Sequence, residues 1–362
     1  MARKFFILSG ILLGLPLLGV VLAGHPIGRY LEFPPRSRYV LHAPFSWTVW
    51  GGYGLFVFAV LYPLVRRAVR AKNWLEAPST QRYPFPWWGW LGLFSGLLFW
   101  VLAWTRFHWF GLFQPHTFTP LWLSFILVIN ALSSRRRGSC LITEHRGYFL
   151  LLFPASAVFW WFFEYLNRFV QNWHYVGVRY GPGEYFLYAT LSFSTVLPAV
   201  MSVREYLLTY SWLHKGFEKY IPTGLFESPK IACIFLLIAG VGLALTGVWP
   251  DHLFSLLWSA PLMVLVSLQV LTGESHVLEG LTSGDWRLII SSALAALVCG
   301  LFWEMWNFYS LAKWQYSIPY VDRFRVFEMP ALGYAGYLPF GLQCTAVSEL
   351  LASLCRLKPD ET

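Results

Sequence analysis

The sequence predicts an all-α integral membrane protein, and three observations carry that prediction. Of 362 residues, 57% are hydrophobic, 19% aromatic and only 12% charged, against about 25% charged in a soluble domain. Apolar stretches recur that approach the roughly 20 residues a helix needs to cross the hydrocarbon of a bilayer. The motif order of the middle of the chain returns in its last third. The expected architecture is about ten transmembrane helices, arranged as two parallel four-helix repeats behind an N-terminal two-helix extension.

The ten stretches run roughly over 5–23, 45–65, 87–105, 117–132, 148–170, 185–203, 230–249, 253–271, 288–311 and 331–355. The fourth is short, and Pro261 interrupts the eighth. They divide the chain into residues 1–86, the extension, 87–229, repeat A, and 230–362, repeat B. The first stretch has two readings. It serves as a signal anchor, but MARK, an apolar run and VLAG ending at Gly24 also fit a cleavable signal peptide. The topology of the remainder is the same in both cases.

Orientation follows from the basic residues. The net charge of +9 is not a nucleic-acid footprint here, because Lys and Arg accumulate in the cytoplasmic loops of membrane proteins. With the N-terminus inside, the inner segments hold Arg3, Lys4, Arg66, Arg67, Arg70, Lys72, Arg82, Arg135, Arg136, Arg137 and Arg146. Arg204, Lys215, Lys219, Lys230, Arg287, Arg356 and Lys358 bring these to 18 of the 27. Both termini are therefore expected in the cytoplasm, and the composition suits a prokaryotic inner membrane. RRRGSC (135–140) is a topology anchor that can touch anionic lipid. The five cysteines, Cys140, Cys233, Cys299, Cys344 and Cys355, form no CxxC pair, so neither a disulfide framework nor a zinc site is suggested.

Within repeat A, WWFFEYLNRF (160–169) sets Glu164 and Asn167 in an aromatic run, and LFWEMWNFYS (301–310) sets Glu304 and Asn307 likewise in repeat B. LWLSFILVINAL (121–132) precedes the first and LWSAPLMVLVSL (257–268) the second. QPH (114–116) answers WPDH (249–252), ITEHRGYFLLL answers LTSGDWRLIIS, and NWHY (172–175) answers KWQY (313–316). The offset is 136 residues at Trp122/Trp258, 140 at Glu164/Glu304 and 144 at both Glu184/Glu328 and Glu205/Glu349. Small loop insertions account for that drift. Four spans per copy return the chain to the same side, so the copies should share one orientation, related by an axis along the membrane normal.

An ionised acid at mid-membrane costs on the order of 3 kcal/mol, and such residues usually face a bundle interior. Glu164 with Asn167, and Glu304 with Asn307, are spaced i, i+3 and share a helix face. As structure alone, each pair would be a polar clamp between helices. As a site, Glu304 and Glu164 are the acid/base candidates, with Asn167, Asn307, Trp173, Trp314, Tyr175, Tyr316 and Glu328 as binding residues. Arg168, one turn after Glu164, would neutralise it, whereas Phe308 stands in the matching place. That asymmetry makes Glu304 the stronger candidate.

NWHY, KWQY, Tyr180, Tyr185 and Tyr320 read equally as an outer aromatic belt or as a stacking wall for a flat or polyene ligand. In FEMPALGYAGYLPFG (327–341), Gly333, Gly336 and Gly341 permit close helix approach, and Pro330 and Pro339 interrupt regular helix. Gln315 replaces His174 in the second copy, against a symmetric metal site. HExxH, GxSxG and Walker A motifs are absent from the sequence. No cofactor is indicated. Three functions remain open: a site for a lipid-like molecule (isoprenoid, quinone, carotenoid or glycolipid) in the outer half of the bilayer, a proton- or cation-coupled transporter, and a non-catalytic subunit among membrane-protein partners. Membrane lipids are the expected surroundings, and nucleic acid is not an expected partner.

Overall fold

A computed structural model describes residues 7–72 and 82–355. Arg3, Lys4, Arg356 and Lys358, which enter the orientation argument, lie outside the described residues. The chain is mostly helical, and every predicted apolar stretch overlies a helix. The extension contributes α1 (Ile7–Leu22) and α2 (Trp47–Lys72). Residues 87–170 supply α3 (Trp87–Trp104), α4 (Phe118–Arg137) and α5 (Arg146–Val170). A short strand β1 (Trp173–Val176) precedes α6 (Pro182–Phe193) and α7 (Val196–Leu208), which are two halves of one broken helix. A short helix α8 (Ser211–Phe217) leads into α9 (Pro229–Thr246), α10 (Leu256–Leu271) and α11 (Arg287–Phe308). Strand β2 (Lys313–Tyr316), a two-residue ladder of β3 (Arg325–Val326) with β4 (Met329–Pro330), and α12 (Tyr337–Leu354) complete it.

Among the described residues, seven helices are long and apolar enough to cross a membrane. Of the remaining predicted spans, α1 and α10 are apolar but shorter, and α12 carries Gln343, Thr345, Ser348 and Glu349. Two local expectations change. The fourth predicted stretch is longer than expected: α4 runs on to Arg137, where Gly138 ends it at φ 87°, a left-handed conformation that favours glycine. Pro261 does not break α10, although it removes one backbone donor there.

Packing repeats between the halves. In the first, α3 packs on α4, and α7 packs on both α4 and α5; in the second, α9 packs on α10, and α12 packs on both α10 and α11. Across the halves, α7 meets α11 and α12 meets α5. Aromatic rings knit the centre. Trp122 of α4 lies 5.0 Å from Trp303 of α11, and its counterpart Trp258 of α10 stacks 5.4 Å from Phe163 of α5.

The extension is held at two levels. On α1, Gly19 sits so close to α9 that a Cβ would fall 1.5 Å from the Ala244 carbonyl oxygen, so only glycine fits. After α1, residues 24–46 cross the end of the bundle that carries β1 and β2. His42 Nδ1 lies 2.6 Å from Asp251, and the backbone N–H groups of Arg38 and Ala43 donate to Gln171 and Asp251. This strap therefore touches both halves. By contrast, α2 leaves Trp47, Leu55, Phe56 and Phe58 exposed, as a helix facing lipid would.

Candidate functional site

Each buried glutamate occupies the last third of its helix, with the asparagine one turn on. The asparagine side chains turn to the backbone. Asn167 accepts from the Asn172 N–H at 2.8 Å and donates to the Trp173 carbonyl at 2.9 Å. Asn307 accepts from the Trp314 N–H at 2.9 Å and donates to the Trp314 carbonyl at 2.8 Å. Each asparagine thereby fixes the start of the strand that follows its helix, satisfying backbone groups that leave the helical ladder unpaired.

The strands then pair antiparallel, Trp173 with Tyr316, His174 with Gln315, Tyr175 with Trp314 and Val176 with Lys313. Neither segment carries a strand signal in the sequence. The pairing swings the aromatic side chains back toward the glutamates. Glu164 Oε1 accepts from Trp160 at 3.1 Å, Trp173 at 3.0 Å and the Tyr175 hydroxyl at 2.6 Å. Glu304 Oε1 accepts the hydroxyls of Tyr316 at 2.7 Å and Tyr337 at 2.8 Å, and Trp314 donates in turn to Tyr316 at 2.9 Å. Burial, and then the adjacent carboxyl, push the hydroxyls of Tyr175 and Tyr316 well above the ordinary phenol pKa, so both remain donors. The second carboxyl oxygen of each glutamate, Oε2, is buried without a hydrogen-bond partner.

Arg168 does not neutralise Glu164. It donates instead to the backbone carbonyls of Tyr30 and Glu32, so its charge anchors the extension. The physical reason is unmet demand: two carbonyls of an irregular segment lie within its reach, while Glu164 already has three neutral donors. Among the described residues no ion pair is made by either Glu164 or Glu304. The two acids thus share the lack of a direct ion pair, while at longer range Glu164 still has the Arg168 charge nearby and Glu304 has the acidic Glu328.

Between the halves lies a cavity of about 540 Å³, within the roughly 300–1,000 Å³ typical of small-molecule sites. Its walls are Trp160, Trp173, Tyr175, Tyr316 and Tyr337, the donors to the two carboxyls, with Trp258, Trp303 and Trp314. Of the residues singled out from sequence, Trp173, Trp314, Tyr175 and Tyr316 line it. Glu164, Glu304, Asn167 and Asn307 stand one layer behind. Glu328 also lies outside the lining; it accepts from Lys313 at 2.5 Å and lies 3.7 Å from Arg325. Gly333 and Gly336 face the cavity, and Gly341 lets α12 approach the Ser292 carbonyl of α11, where a Cβ would stand at 2.1 Å.

Sequence reading missed Trp160, Trp258, Trp303 and Tyr337 as wall residues. Trp160 had a signal, since it precedes Glu164 by one turn; Tyr337 lay in the flagged glycine-rich stretch; Trp258 and Trp303 had none, because packing across the halves brings them in. No protein-family model matches the chain, and no curated protein or solved structure matches it.

Proposed function

We propose that this is a duplicated membrane protein of ten spans, both termini cytoplasmic, that binds or processes a lipid-like molecule in the aromatic cavity, in the outer half of the bilayer. The observation that carries the reading is the double duty of the wall. The same indole and phenol residues that hold Glu164 and Glu304 also line the cavity. A flat or polyene apolar chain would gain burial and stacking against those rings, worth about 25 cal/mol per Å² of apolar area removed from water, plus aromatic geometry. The phenols of Tyr175, Tyr316 and Tyr337 each bridge a carboxyl and the cavity. A proton passed from a ligand to such a phenol, while the phenol's own proton moves to the carboxylate, gives general acid/base chemistry with the acid held behind the wall.

A second reading, coupled proton transport, is favoured by one observation, the two buried carboxyls without cationic partners. Reconstituted vesicles separate the two: proton flux on substrate addition supports transport. The test of the first reading is mass spectrometry of the chain purified in detergent. A co-purifying apolar molecule is expected with the natural chain and should be lost in Ala189→Trp, which fills the cavity from its wall. Equal retention by both would remove the cavity from the proposal.

A further inference from the structure

Arg36, Ser37, Arg179 and Tyr185 line the cavity, and the exposed Arg179 marks a mouth where that lining reaches the protein surface. Arg36 is half-buried, its guanidinium carbon 5.8 Å from the centre of the Tyr185 ring and its Nη2 3.5 Å from the Tyr180 carbonyl. Arg179 is exposed. Among the described residues neither arginine makes an ion pair. The Ser37 hydroxyl oxygen and the Tyr185 hydroxyl are buried without a hydrogen-bond partner, although buried polar groups nearly always have one. The third cation at the cavity, Lys313, is already held by Glu328 at 2.5 Å. The mouth therefore combines two guanidinium groups without ion-pair partners among the described residues with two unused hydroxyls, beside a mainly aromatic wall.

We infer that the molecule bound here ends in a phosphate group, held at the mouth by Arg36 and Arg179 with the Ser37 and Tyr185 hydroxyls, while its apolar chain occupies the aromatic cavity. This rests on the lipid-like ligand proposed above and narrows it. Guanidinium groups suit phosphate because their planar donors bind two oxygens at once, and charge-assisted bonds are about twice as strong as neutral ones. Cations at the mouth also suit the depth, since a head group placed there stays near water while the chain is buried. A bilayer phospholipid and a single-chain isoprenyl phosphate offer the same chemistry.

The test compares binding of an isoprenyl monophosphate, the alcohol of the same chain, phosphatidylglycerol and phosphatidylcholine to the full chain in detergent, by native mass spectrometry. The phosphate should bind at least about tenfold tighter than the alcohol. The double variant Arg36→Gln, Arg179→Gln should bring the two within about twofold and leave alcohol binding unchanged. Preference for phosphatidylglycerol over the isoprenyl phosphate supports the inference with a bilayer source, and the reverse supports it with a single-chain source. Equal binding of phosphate and alcohol to the natural chain overturns the phosphate head and leaves the cavity reading standing. Undiminished binding of all four to Ala189→Trp overturns the cavity reading itself. Should the double variant fail to fold, Tyr185→Phe tests the same claim: it should weaken the phosphate alone, and an unchanged phosphate-to-alcohol ratio counts against the head-group site.

Discussion

His174 stands directly opposite Gln315 in the β1–β2 pair, and the two occupy the same place in NWHY and KWQY. An antiparallel pair formed by equivalent segments has a local twofold at the position that pairs with its own equivalent. Here that position is His174/Gln315, flanked by Trp173 with Tyr316 and Tyr175 with Trp314. The ring contacts farther in obey the same exchange: Trp122 meets Trp303, and Trp258 meets Phe163. The register fits the proposed duplication, and the strand pair joins the segments that follow α5 and α11 beside the cavity.

A covalent bond should form across that centre. Residues directly opposite in an antiparallel pair have Cβ atoms about 4.5–5.5 Å apart, near the separation a disulfide needs. His174→Cys with Gln315→Cys should lose two thiols on mild oxidation, counted by mass after alkylation. Each single variant should keep its added thiol. Full alkylation of the oxidised double variant would mean that the strands do not meet in this register.

Topology offers an independent check. Cysteines placed at Ser139, Val178 and Asp322 should separate by side: Ser139→Cys labelled from the cytoplasm, Val178→Cys and Asp322→Cys from outside. The reasoning is the cluster Arg135, Arg136 and Arg137 in the last turn of α4, which positive-inside bias assigns to the cytoplasm. Labelling of Ser139→Cys and Val178→Cys from one side would undo both the span count and the outward-facing cavity.

Arg168 should matter to the extension and not to the glutamate beside it. Its guanidinium donates to two carbonyls, and the neighbouring Tyr30 ring is buried and stacks 4.7 Å from Phe169. Arg168→Gln removes charged donors to buried carbonyls, a loss of roughly 2–3 kcal/mol. Thermal melting should fall, and protease cleavage within 24–46 should rise. A variant that melts normally and resists cleavage would show that the strap is held by its other contacts.

Much of the fold was legible because membrane helices announce themselves by length and apolarity, each within one continuous stretch of chain. The Glu164/Asn167 and Glu304/Asn307 pairs were legible for a related reason: polar residues at helical spacing in an aromatic run need a partner. What the partner is was not legible. The asparagines spend their hydrogen bonds on strands whose existence depends on a segment about 140 residues away, and a four-residue stretch such as NWHY carries no strand signal of its own. Arg168 shows the same limit. Spacing put it one turn from Glu164, but the carbonyls that claim it belong to a segment more than 130 residues earlier.

The two buried acids are bonded in the same manner. Glu164 is 1% and Glu304 0% exposed, each spends Oε1 on phenol or indole donors, and each leaves Oε2 without a partner. Neither forms an ion pair among the described residues, so substitution by glutamine abandons no opposite charge and avoids the large loss that follows when one is stranded. The amide keeps the Oε1 acceptor and puts an NH₂ where Oε2 finds no partner, which costs about 1–3 kcal/mol. Glu164→Gln and Glu304→Gln should therefore lower the melting temperature by similar amounts in one detergent. If both carboxyls serve the cavity through their tyrosines, retention or turnover of the bound molecule should fall in both variants. Tyr175→Phe and Tyr316→Phe should reproduce that fall, because each removes the phenol that links the acid to the cavity while leaving the ring. A large stability loss in Glu164→Gln alone would restore the Arg168 pairing that the geometry denies. Unchanged retention in all four variants would leave both glutamates as packing between helices.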